Sequence, residues 1–301
     1  MTGHEQSVEA VVEVSGLVVA YDGRRVVDGV RFDVRRGEVF ALLGPNGAGK
    51  TTTVEVLSGH RGRQAGEVRV LGQDPASAPR AWRDRIGVVS QSAADHEFWR
   101  VGEVLAQFAR YYADPLEPAR ALALTGLADL ADRRVGVLSG GQRRRLDIAL
   151  GILGTPALLF LDEPTTGLDP DVRRGIWDLV QALAADGTSV LLTSHYLDEV
   201  DHLADRVAVL NGGRIQQVCA PDALGADAPT EVRWRENGER RTAAVPDAMA
   251  FLAELQHRLG PEVPELEIRR PSLEDRYLRV LGTDAAPAGA AVPHATETGS
   301  L

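Results

Sequence analysis

The 301-residue chain carries 33 basic against 43 acidic residues, a net charge of -10, and is 44% hydrophobic. It can bury one substantial core with length over for a second, smaller unit, and its acidic balance argues against coating nucleic acid. Its apolar runs, such as Ala157 to Leu161, fall far short of the roughly 20 residues a membrane helix needs. The start, MTGHEQSVEA, has neither a basic nor an apolar signal region, and the single cysteine, Cys219, excludes an intramolecular disulfide. These features predict a chain that is not exported and a reduced cytoplasmic setting, with Cys219 a small buried hydrophobe.

In chain order, residues 1–9 read as unstructured. Val11 to Val19 and Val30 to Val34 read as β-rich segments around the turn Tyr21-Asp22-Gly23. Tyr21 has two readings, a face on which adenine stacks or a half-buried residue beside a turn. The apolar run Val39 to Leu43 then leads into GPNGAGKT, Gly44 to Thr51, with a helix-like segment behind it ending at Gly59. This loop meets the pattern G-x-x-x-x-G-K-[ST] at every required position and in the strand-loop-helix context the pattern needs, which a plain glycine turn would not require. Gly44, Gly47 and Gly49 allow a nest of inward N–H groups, Lys50 supplies a charge for β- and γ-phosphates, and Thr51 offers a hydroxyl to Mg²⁺. Lys50 is also the sole lysine among the 33 basic residues. A compact ammonium has been kept at the one place where a broad guanidinium fits worst.

Glu67 to Leu71 and Ile86 to Ser90 read as strands, with Gln91 at the end of the second, where an amide reaches a metal or an attacking water but by itself means little. From Ser92 to about Gly154 the pattern is helical, and Val104, Leu105, Phe108, Tyr111 and Tyr112 form a stripe read as core. In LSGGQRRRLDIALGIL, Ser139 and Gln142 have the spacing of a capping box, and Leu146, Ala149, Leu150 and Leu153 give a buried face. Gly140 and Gly141 cost helix propensity and favour close approach of an anion, while Arg143 to Arg145 read as a solvated face. Ala157 to Leu161 reads as a buried strand ending in Asp162, suited to Mg²⁺ through water, and Glu163, suited to a general base. Val190 to Ser194 ends at His195, which alone is more often structural than catalytic. Val207 to Leu210 and Arg214 to Val218 flank a hairpin turn, so the pattern is that of a mostly parallel sheet with its site at the strand carboxyl ends. Beyond Pro221 a second hairpin around Asn237-Gly238, a helix over Asp247 to Leu259, a strand over Leu266 to Arg269 and a helix over Ser272 to Leu281 make a small α+β unit. The tail from Thr283 reads as disordered.

Together, Gly44 to Thr51, Gln91, Leu138 to Gln142, Asp162-Glu163, Gly167-Leu168-Asp169 and His195 resemble the ATP-binding cassette of ABC transporters over roughly residues 10–218. The segments SHYLDEVDHLADRVAVL and PSLED resemble the subgroup of drug and polysaccharide exporters typified by daunorubicin-resistance ATPases, many of which have methionine where Gln142 stands. The resemblance implies an α/β P-loop NTPase cassette over 10–219: a RecA-like parallel sheet core, a β-rich N-terminal subdomain and an inserted helical subdomain at about 92–154. An accessory α+β domain over 220–282 and a tail over 283–301 would follow. It implies ATP and Mg²⁺ as ligands, with Tyr21, Gly44, Pro45, Asn46, Gly47, Ala48, Gly49, Lys50, Thr51 and Thr52 around the nucleotide. Thr51, Gln91 and Asp162 would serve the metal, and Glu163, His195 and Gln91 catalysis. Ser139, Gly140, Gly141, Gln142 and Asp169 would act across a homodimer that sandwiches ATP. The implied partner is a separate membrane permease, met near Gln91 and the segment up to Tyr112, with the chain peripheral on the cytoplasmic face and powering export of a drug or other small hydrophobic compound. No nucleic-acid partner is expected. The competing readings are a non-transport cassette acting as a mechanical switch on ribosome or DNA, whose relatives usually carry tandem cassettes or coiled-coil insertions, and a metabolite kinase, which leaves LSGGQ and His195 unexplained.

Overall fold

The computed structural model describes residues 9–91 and 96–282. The expectations for residues 1–8, for 92–95 and for the tail from Thr283 fall outside the described residues. The chain divides into two compact units after Leu224.

In the first unit, β1 (Ala10–Tyr21) and β2 (Arg24–Arg35) form a long antiparallel hairpin through Asp22-Gly23, and β4 (Ala65–Val70) pairs with β1 on its other side. Burial alternates along β1 and β2 because only one face of this sheet meets the core. A second sheet holds β3 (Val39–Leu43), β5 (Ile86–Val89), β6 (Leu158–Asp162), β7 (Ser189–Ser194), β8 (Arg206–Asn211) and β9 (Arg214–Cys219), in the order β5-β6-β7-β3-β8-β9. All neighbours are parallel except β9, which returns from β8 as a hairpin at Gly212-Gly213. Every residue of β3, β6 and β7 is buried, as continuous apolar runs in a sheet covered on both faces require. Phe40 and Phe160 are fully buried, and Phe32 of β2 stacks on Phe40 at 5.2 Å, so the two sheets share one core. Each such ring contributes about 3–5 kcal/mol against alanine. Cys219, at the end of β9, is half-buried rather than buried.

Helix α1 (Lys50–Leu57) follows β3, and the four-residue α2 (Arg80–Arg83) precedes β5. Helices α3 (Val101–Ala109), α4 (Pro118–Leu124) and α5 (Gly140–Ile152) then enclose their own core around Val104, Leu105, Leu122, Leu146 and Leu153. The aromatic stripe is only partly core. Because α3 ends at Ala109, Tyr111 lies in the turn beyond it and is 57% exposed, whereas Phe108 and Tyr112 pack against the cluster. Helices α6 (Pro170–Ala185) and α7 (Leu197–Leu203) complete the unit.

The second unit is a sheet of order β11-β10-β12, formed by β10 (Thr230–Glu236), β11 (Glu239–Val245) and β12 (Glu267–Arg269). Helix α8 (Ala248–Leu259), capped by Asp247, packs Leu255 and Phe251 on Val232 and Trp234. Ser272 and Asp275 close a capping box at the start of α9 (Leu273–Val280).

Candidate nucleotide site

The order of the central sheet brings the carboxyl ends of β3, β5, β6 and β7 to one edge, and with them Gly44, Gln91, Glu163 and His195. Between β3 and α1 the loop is tight. A Cβ at Gly44 would lie 2.2 Å from the Leu210 carbonyl, and Gly49, at φ 105°, would bring one within 2.8 Å of the Val26 carbonyl. Neither position admits another residue without displacing backbone. Gly49 is also the N-cap of α1 and provides no side chain, so the first N–H groups of that helix are left for an anion.

Lys50 is 5% exposed. Its ammonium donates to the carbonyls of Gly44 at 2.8 Å and Pro45 at 3.3 Å and lies 3.3 Å from Glu163 Oε1. The other Glu163 oxygen, Oε2, accepts from Thr166 Oγ1 at 3.1 Å and from Gln91 Nε2 at 3.4 Å, and His195 Nδ1 stands 3.4 Å away without hydrogen-bond alignment. Burial pushes the Glu163 carboxyl up, but the Lys50 charge and hydrogen bond, then His195 and the Thr166 hydroxyl, outweigh it and hold the group below the ordinary glutamate value. The Glu163 carboxyl is therefore ionised at neutral pH. Its backbone sits at φ 47°, a left-handed conformation that costs a non-glycine residue about 1–3 kcal/mol and persists only where neighbours over-determine it. One of these is Thr193, whose hydroxyl accepts from the Glu163 N–H at 2.9 Å and donates to Asp162 Oδ1.

Asn46, Gly47, Gly49, Lys50, Thr51, Thr52, Gln91, Glu163 and His195 line one cavity of about 380 Å³, with Val26 and Thr166. Sequence reasoning missed three participants. Val26 has no signal of its own; Thr166 is a hydroxyl three residues after a carboxylate; Thr193 is polar inside a buried strand, which could have drawn notice. Tyr21 lies near the cavity, its hydroxyl 3.5 Å from Thr52 Oγ1, but Arg61 sits over its ring at 4.7 Å. A base stacking there would share the ring with Arg61 or displace it.

The oxygen donors Thr51, Gln91 and Asp162 suit a hard cation such as Mg²⁺. Among the described residues no cluster of three or more His, Cys, Asp or Glu side chains gathers, so a cation here would take most of its ligands from phosphate and water.

Ser139, Gly140 and Asp169 do not line this cavity and are exposed. Ser139 caps α5: its hydroxyl accepts from Gln142 N at 3.3 Å, while Gln142 Oε1 accepts from Ser139 N at 3.0 Å. The hydroxyl proton of Ser139 is thus still available to a ligand. The two glycines differ. A Cβ on Gly141 would meet Val172 at 2.2 Å, so that glycine serves the packing of α5 on α6, whereas Gly140 meets nothing closer than Leu168 at 3.8 Å. Asp169 precedes α6 without capping it. The reading of Arg143 to Arg145 as a solvated face needs correction: Arg144 is 8% exposed and donates to the carbonyls of Pro164, Ser90 and Asp162. Sequence periodicity does not mark it, because its face of α5 meets strand ends rather than an apolar layer.

A parallel sheet with a phosphate loop after β3 and a carboxylate after β6, two strands away, defines a nucleoside triphosphate hydrolase of the phosphate-loop class. The family described as "ABC transporter" matches residues 27–166. The chain is 37% identical to the Nod factor export ATP-binding protein I of Paraburkholderia xenovorans, over 92% of this chain and 98% of that protein. It is 48% identical to the daunorubicin/doxorubicin resistance ATP-binding protein of Streptomyces peucetius, over 68% of this chain and 63% of that protein's length. A solved structure described as the ATP-binding subunit of an ABC transporter shares the fold, with TM-score 0.67 and 23% identity over 90% of this chain and 99% of that one. The chain belongs to the ATP-binding proteins of ABC transporters, a family that binds and hydrolyses ATP.

Proposed function

We propose that this chain powers a separate membrane permease that exports a drug or other small hydrophobic compound, working as a homodimer with ATP between its subunits. The observation that carries the dimer is the separation within one chain: the Lys50 cavity holds the hydrolytic groups, while Ser139, Gly140 and Asp169 lie exposed outside it. A second copy, related by a twofold axis, would supply these to the γ-phosphate side of each nucleotide. Residues 10–219 act as the cassette and 220–282 as an accessory domain.

In this mechanism the loop N–H groups and Lys50 take the phosphates, so Lys50 leaves the Gly44 and Pro45 carbonyls it now engages. Asp162, Thr51 and Gln91 would hold Mg²⁺, which supplies charge neutralisation on the phosphates. Glu163 then polarises the attacking water and His195 holds the γ-phosphate side. Loss of the γ-phosphate removes the bridge between subunits, and the difference in affinity of ATP and ADP for closed and open forms drives the cycle.

No helix among the described residues is long and apolar enough to cross a membrane; the proposed place of the chain is peripheral, on the cytoplasmic face beside the permease. Phe98 is 86%, Trp99 47% and Val137 65% exposed, and backbone bonds from Val135 to Trp99 and from Gly136 to Glu97 bring the two segments together. Phe98 and Trp99 of this apolar patch lie within the segment expected to face the permease, and Val137 lies outside it in sequence. Similarity to the Nod factor export protein of Paraburkholderia supports export, and similarity to the daunorubicin/doxorubicin resistance protein of Streptomyces supports a drug as the cargo. The test is co-expression with the cognate permease: the chain should move to the membrane fraction and its ATPase should rise. Absence of both would remove the transport role.

A further inference from the structure

We propose that Arg144 is a positioning residue for ATP hydrolysis, its guanidinium fixing the backbone on both sides of Glu163 and ahead of Gln91. It lies in the second turn of α5, the helix capped by Ser139. Nη2 donates to the Asp162 carbonyl at 2.7 Å, Nε to that of Pro164 at 2.9 Å and Nη1 to that of Ser90 at 2.6 Å. These are the carbonyls immediately before Glu163, one residue after it, and immediately before Gln91. The peptide linking Asp162 to Glu163 is thereby held at both edges, its C=O by Arg144 and its N–H by Thr193. Glu163 needs such restraint, since its φ of 47° is one that relaxed glutamate avoids.

A stability role explains the arrangement less well. Burying a guanidinium is costly even beside Asp147 and Asp162, and apolar residues of similar size commonly replace buried charges without loss of stability. Three donors fanned in one plane toward three strand-end carbonyls is a task for arginine, not for lysine or an apolar side chain. Because the same helix begins at Ser139, Arg144 also ties the exposed α5 end to the two loops that carry Gln91 and Glu163.

The proposal rests on Glu163 being the base, so Glu163→Gln is assayed alongside. Full-length Arg144→Met and Arg144→Lys are measured for kcat, KM for ATP and thermal unfolding. For Arg144→Met we expect kcat lower by about 10²-fold, the usual effect of misplacing a reacting group by an ångström, with KM within about threefold of wild type. Arg144→Lys should recover part of the loss. A folded Arg144→Met with wild-type kcat would overturn the proposal, as would a loss that merely follows the folded fraction with no recovery in a folded Arg144→Lys. Should the methionine variant not fold, Arg144→Lys is judged by the same criteria. Normal turnover in Glu163→Gln would remove the base and the role of Arg144 together, whereas an inactive Glu163→Gln beside an unaffected Arg144→Met would remove only the latter.

Discussion

The Lys50 cavity and the α5 start differ in how far a single chain completes them. In the cavity every charged group has an internal counterpart: Lys50 faces Glu163, and Glu163 is in turn reached by Thr166, Gln91 and His195. At the start of α5, Ser139 and Gln142 satisfy only each other, a Cβ on Gly140 would touch only Leu168, and Asp169 on the neighbouring loop leaves its helix uncapped. In the proposed mechanism one region serves the chemistry and the other a second copy of the chain. The same chain exposes what its own cavity does not use.

The comparison is tested hardest by Glu163→Gln. Turnover should fall by about 10²- to 10⁴-fold, the worth of a general base. ATP binding should persist, since the substitution removes a negative charge from beside the phosphates. On size-exclusion chromatography with light scattering this variant should shift from monomer to dimer with Mg-ATP; near-normal turnover would take Glu163 out of its role. Lys50→Ala should cost about 10²- to 10³-fold in turnover, as loss of a key charge-stabilising donor does, and fluorescent-ATP titration should show weakened binding in a chain that still melts cooperatively.

The two glycines of α5 separate the regions directly. In the Glu163→Gln background, Gly140→Trp should leave the melting temperature unchanged and abolish the ATP-dependent dimer. Gly141→Trp should lower stability by about 1–3 kcal/mol through overpacking against Val172. A dimer that survives Gly140→Trp would place the interface elsewhere. The smallest effect is electrostatic. Carbon NMR titration of the Glu163 carboxyl in the nucleotide-free chain should give a value below the ordinary glutamate one, and Lys50→Met should raise it, because burial pushes it up and the ammonium is the largest opposing influence. The sign makes the base ionised above that value and lost only as pH falls through it; an unchanged value in Lys50→Met would show that Lys50 is not what holds it down.

Much of this was legible beforehand where chemistry follows from neighbours in sequence. The phosphate loop, the capping box of Ser139 and Gln142, the hairpins at Gly212-Gly213 and Asn237-Gly238, and the buried runs of β3, β6 and β7 all depend on local backbone demands or on a period of burial. Tyr111 was misread because a helical stripe outlasts its helix: the turn after Ala109 rotates the ring outward. Arg144 was misread because three arginines in a row look solvated, and nothing in the run says which one points at strand ends.

By itself, then, the sequence determined the class of chemistry, since G-x-x-x-x-G-K-T admits few other uses, and it marked most of the strands and the capped helix behind Ser139, since periodicity and capping act over a few residues, but it left α6 and α7 unread. Only the tertiary structure decided the order of the strands, and with it that Gln91, Glu163 and His195, spread over about a hundred residues of chain, converge on Lys50. It alone divided the labour of Gly140 and Gly141, and it alone turned Arg144 inward. Those outcomes depend on which surfaces meet, and that is settled by long-range packing.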